Sequence, residues 1–160
     1  MLKVICGLPP STSLGPLVTG VAPGYDHVVG AMGFAVAAMH GADFFCMVSP
    51  AEHLALPDID DIVEGTRVAK ITAHAGDIVR FGAGAHARAD LKMAEARRRL
   101  NWEEQFKAAM YGEPARRIHR RDGDLEICSV CGDLCAEKTV RVSSGRPGTP
   151  SCYRSRSDPY

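Results

Sequence analysis

The sequence predicts an α/β protein in which one βαβ unit leads into a helical region and then into a cysteine-bearing loop. Two short apolar runs, Leu17-Val18-Thr19-Gly20-Val21 and Asp43-Phe-Phe-Cys-Met-Val-Ser49, flank a stretch of helical periodicity. Strand, helix and strand at this spacing make a βαβ unit. Residues 58 to 111 then repeat apolar side chains mostly at three- and four-residue steps, the period of helices packed on one face. Three cysteines, Cys128, Cys131 and Cys135, follow within eight residues.

Residues 1 to 24 are rich in Gly and Pro, so the run at 17–21 is expected as one buried strand with loops on either side. Asp26 is a suitable helix cap. Val28, Val29, Met32, Ala35, Val36 and Met39 give the helix its apolar face, and Gly41 ends it. That helix is apolar nearly all round and is expected to be well covered. The run at 43–49, bounded by Gly41 and Pro50, suits a buried parallel strand, with Cys46 a small core residue inside it. Asp58 is the expected cap of the next helix, with Asp60 and Asp61 favouring its positive end. Gly82 and Gly84 interrupt the pattern. A second helix over about Arg88 to Met110 turns Leu91, Ala94, Leu100, Trp102 and Phe106 inward, and Gly112 and Pro114 end it. The expected organisation is 1–57 for the βα units, 58–121 for the helical region, 122–141 for the cysteine loop and 142–160 for a disordered tail rich in Ser, Pro, Gly and Arg.

Composition narrows the function classes. The chain has 160 residues, which is too few for a complete (β/α)₈ barrel of roughly 200 or more. Its 19 basic side chains balance 19 acidic ones, which argues against nucleic-acid or anionic-membrane partners. No apolar run reaches the roughly 20 residues of a membrane span. The opening residues show no apolar core leading to a small-residue cleavage site, so a cytoplasmic location is expected. In that reducing compartment clustered cysteines point to a metal or redox centre rather than disulfides.

Cys128-Ser-Val-Cys131-Gly-Asp-Leu-Cys135 can converge three thiolates on one centre while leaving a position open. On a [4Fe–4S] cluster the open iron can take S-adenosylmethionine. On zinc a fourth ligand is needed, and His119 is the nearest histidine. The spacing alone leaves iron–sulfur and zinc equally open. His53, in Ser49-Pro-Ala-Glu-His-Leu-Ala-Leu-Pro57, follows the second strand. Ligands and metals of parallel α/β folds gather at that carboxyl end, and Glu52 beside it is a candidate second ligand or supporting partner. Most loop histidines have no ligand role, so position alone favours a His53 satisfied by backbone. Tyr25-Asp26-His27 lies at the same end, with Asp26 read as a cap. His74 is read as a packing residue. The arginines at 97–99, 116, 117, 120 and 121 are read as solvated helix faces paired with nearby acids.

Five segments together resemble the carboxyl-terminal part of the phosphomethylpyrimidine synthase (ThiC) family. They are Leu14-Gly-Pro-Leu-Val-Thr-Gly-Val-Ala-Pro-Gly-Tyr-Asp-His27, Ser49 to Pro57 as quoted, Ile71-Thr-Ala-His-Ala-Gly-Asp77, Asn101-Trp-Glu-Glu-Gln-Phe106 and Cys128-Ser-Val-Cys-Gly132. The resemblance implies a (β/α)₈ (TIM) barrel followed by a helical region and a cluster-bearing tail. It implies radical S-adenosylmethionine chemistry of thiamine biosynthesis, in which aminoimidazole ribotide becomes 4-amino-2-methyl-5-phosphomethylpyrimidine. It places the [4Fe–4S] cluster on Cys128, Cys131 and Cys135, and one ligand of a zinc or other divalent metal on His53. It further implies a homodimer, or association with a complementary barrel-containing chain. The family's Glu-Gly-Pro-Gly-His stretch, which carries another metal histidine, is absent from these residues, and three residues separate the last two cysteines where many synthases have four. A 5-hydroxybenzimidazole synthase-type paralogue and a non-catalytic metal- or cluster-binding module are the alternatives.

Overall fold

A computed structural model describes residues 10–82 and 84–123, together with Gly7, Val130, residues 135–137 and Thr139. The chain divides into two units, Met1–Ala87 and Arg88–Tyr160. The described part is rich in helix and contains little strand.

In the first unit, β1 (Thr12–Ser13) pairs in parallel with β2 (Phe44–Phe45). The helix α1 (Asp26–Met39) connects them, so the expected parallel crossover is present. Its first strand lies elsewhere than expected. Residues 17–21 pass through bends, and Val18 and Val21 are exposed. Asp43 sets the register instead. Its carboxylate accepts from the Ser11 N–H at 2.9 Å. The Asp43 and Phe44 N–H groups both donate to the Ser11 carbonyl. These bonds align 11–13, not 17–21, with β2.

The buried positions of α1 are Asp26, Val29, Gly30, Gly33 and Phe34. This is the spacing of one helical stripe. Two of these five positions are glycine, and Val28, Met32, Val36 and Met39 are exposed, contrary to the expected all-round cover. Two glycines explain the choice. A Cβ on Gly33 would overlap the Pro16 carbonyl oxygen, and one on Gly30 would lie 3.3 Å from Val48 Cγ2. Phe34 stacks on Phe45 with centroids 4.3 Å apart, which seats the helix on the sheet.

The long helix α2 (Ile59–Phe81) starts at Asp58 as expected. The Asp58 carboxylate accepts from the Asp61 N–H at 2.9 Å, and Asp61 accepts from the Asp58 N–H at 3.1 Å. This reciprocal capping box satisfies two otherwise orphaned donors. The helix packs on α1 through Gly76, whose Cβ would stand 2.6 Å from that of Ala38. Near its end Arg80 reaches Asp43 at 2.7 Å. Among the described residues no helix is long and apolar enough to cross a membrane.

The boundary between units falls within α3 (Ala85–Arg98). The single helix expected over 88–110 is two helices. Leu100 takes a left-handed backbone (φ +53°), and the Asn101 side chain accepts from the Glu104 N–H to cap α4 (Trp102–Ala108). Gly112 and Pro114 open α5 (Gly112–His119) rather than close its predecessor. Proline is tolerated in a first turn because its missing N–H needs no partner there. Phe106 and Ala96 are buried, whereas Leu91 is exposed. The arginine reading holds at α5 for the ion pairing, since Arg116 pairs with Glu103 (Nη2 to Oε2, 2.9 Å), but Arg116 is largely covered over the Phe106 ring rather than solvated.

Candidate functional site

Parallel pairing sends both strands towards the same end, so the segments after β1 and β2 emerge side by side. Between them lies a cleft of about 350 Å³. Its walls come from Leu14 and Leu17 after β1, from Cys46 and Met47 after β2, and from Glu52 and His53. The cleft thus forms where the sequence placed His53. Cys46 is exposed here instead of buried in a strand, which corrects the expectation of a core residue.

Residues 50–55 form a run of turns closed by Leu54 and Ala55 N–H groups donating to the Ala51 carbonyl. Within it His53 adopts φ +62°. A side chain other than glycine in the left-handed region costs on the order of 1 kcal/mol and persists where surrounding contacts enforce it. One such contact is Asp26, whose Oδ2 lies 2.8 Å from His53 Nδ1. Asp26 is 5% exposed and is the first residue of α1. The capping position belongs to Tyr25, and no side chain caps the helix. Asp26 therefore does not cap α1; its carboxylate holds the histidine.

The hydrogen bond that His53 Nδ1 donates to the Asp26 carboxylate raises the His53 pKa above its ordinary value, and the charges of Asp26 and Glu52 add to this against partial desolvation. The sign follows: the charged pair is complete on the acid side of the raised midpoint and becomes a neutral hydrogen bond as pH rises through it. A histidine NMR titration is expected to give His53 a midpoint above the ordinary 6.5, and Asp26→Asn to bring it down. An unchanged midpoint in the variant would contradict the pairing.

In the second unit, the His119 ring packs 3.9 Å from that of Trp102 and edge-on to Phe106. Both its ring nitrogens are buried with no hydrogen bond among the described residues. Cys135 is buried and, among the described residues, forms no disulfide, and its carbonyl accepts from the Thr139 N–H and hydroxyl. Cys128 and Cys131 lie outside the described residues, as does the tail beyond 142. Three thiols in this spacing are a donor set suited to an iron–sulfur cluster. For a metal at His53, the chain supplies one imidazole backed by a carboxylate, the usual outer partner of a metal-bound histidine. Among the described residues no group of three or more His, Cys, Asp or Glu side chains could hold a metal ion, so His53 fits as one ligand and not as a complete site.

A parallel βαβ unit with a histidine held by a buried carboxylate past its strands defines an α/β protein whose candidate site lies at the carboxyl end of its strands. More particularly, the chain belongs to the radical SAM ThiC family, whose model matches residues 1–142. It is 51% identical to phosphomethylpyrimidine synthase 1 of Methanosarcina mazei over 146 residues, which are 90% of this chain and 34% of that protein. It is 49% identical to the phosphomethylpyrimidine synthase of Carboxydothermus hydrogenoformans over 91% of this chain and 34% of that one. The corresponding protein of Archaeoglobus fulgidus is also 49% identical, over 91% and 35%. The chain therefore spans about a third of the length of the curated relatives it matches. Membership of this family implies a [4Fe–4S] cluster and S-adenosylmethionine.

Sequence reading found the His53 loop and missed its partner. The sequence places Asp26 at the same end as His53, but Asp26 reads there as a helix cap, so the bond between the two is not anticipated.

Proposed function

We propose that this chain supplies the terminal βα units and the cluster-binding loop of a phosphomethylpyrimidine synthase, acting on aminoimidazole ribotide. The observation that carries the reading is the family match over residues 1–142, which takes in His53 and all three cysteines together. On this reading Cys128, Cys131 and Cys135 hold the [4Fe–4S] cluster. His53 supplies one ligand of a zinc or other divalent metal, and the cleft beside it forms part of the substrate site. The cluster, when bound, supplies the electron that cleaves S-adenosylmethionine. The protein's own residues orient and enclose. His53 is held by Asp26, Leu14 and Leu17 present an apolar wall, and the remaining walls belong to the rest of a (β/α)₈ barrel. A homodimer, or a complementary barrel-containing chain, in the cytoplasm completes the proposal. The names of the relatives support the pyrimidine product over the benzimidazole one.

The test is anaerobic reconstitution of the chain with iron and sulfide. A brown chromophore is expected, with a paramagnetic signal on reduction that changes when S-adenosylmethionine is added. Uptake of zinc with no response to S-adenosylmethionine would sink this reading in favour of a non-catalytic module.

A further inference from the structure

We propose that Asp26 is a positioning residue that fixes which ring nitrogen of His53 carries its proton, so that Nε2 presents a lone pair to a divalent cation at the cleft. The inference rests on the reading of His53 as a metal ligand and adds to it the residue that makes His53 competent.

Three observations carry it. The first is the asymmetry of the pair. Asp26 is almost wholly buried at the start of α1, while the His53 side chain is 67% exposed. The ring of an exposed loop histidine has little packing to orient it, so a hydrogen bond to a fixed neighbour decides its direction. The second is chemical. An ionised carboxylate only accepts hydrogen bonds, so Asp26 Oδ2, 2.8 Å from Nδ1, requires that Nδ1 bear the hydrogen. The neutral ring then has its lone pair on Nε2. The third is placement. The bond joins residues 27 apart in sequence, tying the turn after β2 to the start of α1, and His53 lines the cleft beside Glu52. Because the Asp26 carboxylate is almost wholly buried, loss of its partner would leave a buried charge uncompensated, so the fold keeps this bond made. A metal-bound histidine that donates its other N–H to a carboxylate uses the same geometry, and loss of such a partner typically costs 10- to 100-fold in metal affinity.

The experiment uses the full chain, free of metal and ¹⁵N-labelled at histidine, above the His53 midpoint. The wild-type ring is expected to show Nδ1 protonated and Nε2 bare. Asp26→Ala is expected to shift the population towards the Nε2–H form, and Asp26→Glu to restore it in part. Should Asp26→Ala fail to fold, Asp26→Asn keeps the size of the side chain and weakens the acceptor, and a smaller shift in the same direction is expected. A wild-type ring protonated on Nε2, or a ring pattern unchanged in the variants, would overturn the inference. Titration with Zn²⁺ alone is then followed at the His53 ring nitrogens. The variants are expected to need about 10- to 100-fold more Zn²⁺ than the wild type for the same response; equal concentrations would also overturn it. If the wild-type tautomer depends on Asp26 but its Nε2 never responds to Zn²⁺, the metal-ligand reading of His53 fails while the positioning role of Asp26 stands.

Discussion

Gly33→Ala is expected to lower the melting temperature of the first unit by about 10 °C or more. A Cβ at this position would occupy the place of the Pro16 carbonyl oxygen, a backbone atom that no rotamer change can move. Overpacking costs typically 1–3 kcal/mol, and a backbone clash of this severity belongs at or above the upper end. Each kcal/mol is worth roughly 4–8 °C in a unit of this size. Gly65→Ala is expected to behave alike, since its Cβ would stand 2.5 Å from the Val48 carbonyl oxygen. Gly20→Ala is the control, because nothing lies within 4 Å of a Cβ there, and it is expected to change stability by less than about 0.5 kcal/mol. Thermal unfolding followed by circular dichroism reads all three. A Gly33→Ala protein melting with the wild type would show that α1 does not press on the 15–17 segment.

The same two contacts place the cleft. Gly33 lets α1 sit against Pro16, between Leu14 and Leu17, and Gly65 lets α2 sit against the backbone at Val48, just past Cys46 and Met47. Both walls of the cleft are thus set by helix glycines that touch no ligand themselves. Substitution at either should move the walls apart as well as weaken the fold.

The legible and illegible parts of this chain separate along physical lines. Local signals read true. Asp58 with Asp61 makes its capping box, Gly41 follows α1 with a positive φ, and the turn after β2 carries His53. The parallel crossover read true, but which segment pairs with the second strand did not. The run at 17–21 has more strand character than Thr12-Ser13, yet the Asp43 side chain bonds the Ser11 N–H and sets the register there. The apolar residues of α1 suggested an all-round buried helix, but what α1 buries is decided by close approach, and that favoured Gly30 and Gly33 over Met32 and Val36. The break at Leu100 was masked by apolar periodicity, although Asn101-Trp-Glu-Glu104 is a good helix start. In the site, an aspartate at the head of a helix invited the capping reading. Its neighbour in space is a histidine 27 residues away, which no local pattern reveals.

The cysteine triad yields the sharpest chemical test of the proposed function. A cluster with three protein thiolates has no spare donor, so Cys128→Ala, Cys131→Ala and Cys135→Ala are each expected to reduce reconstituted iron from about four atoms per chain to fewer than one, with the S-adenosylmethionine response lost alongside. Cys46→Ala is expected to retain both, because Cys46 is exposed at the cleft of the first unit and has no part in the triad. His119 decides between iron–sulfur and zinc. A Cys₃His zinc site would need one of its ring nitrogens, whereas the ring packs against Trp102 and Phe106 with both nitrogens buried. His119→Phe keeps an aromatic ring in that packing and removes any possible ligand. It is therefore expected to leave the iron content and the chromophore unchanged. Iron retained by the Cys135→Ala protein would remove that thiolate from the centre. Metal lost from the His119→Phe protein would transfer the loop from the iron–sulfur reading to the zinc one, and with it the argument for radical chemistry in this chain.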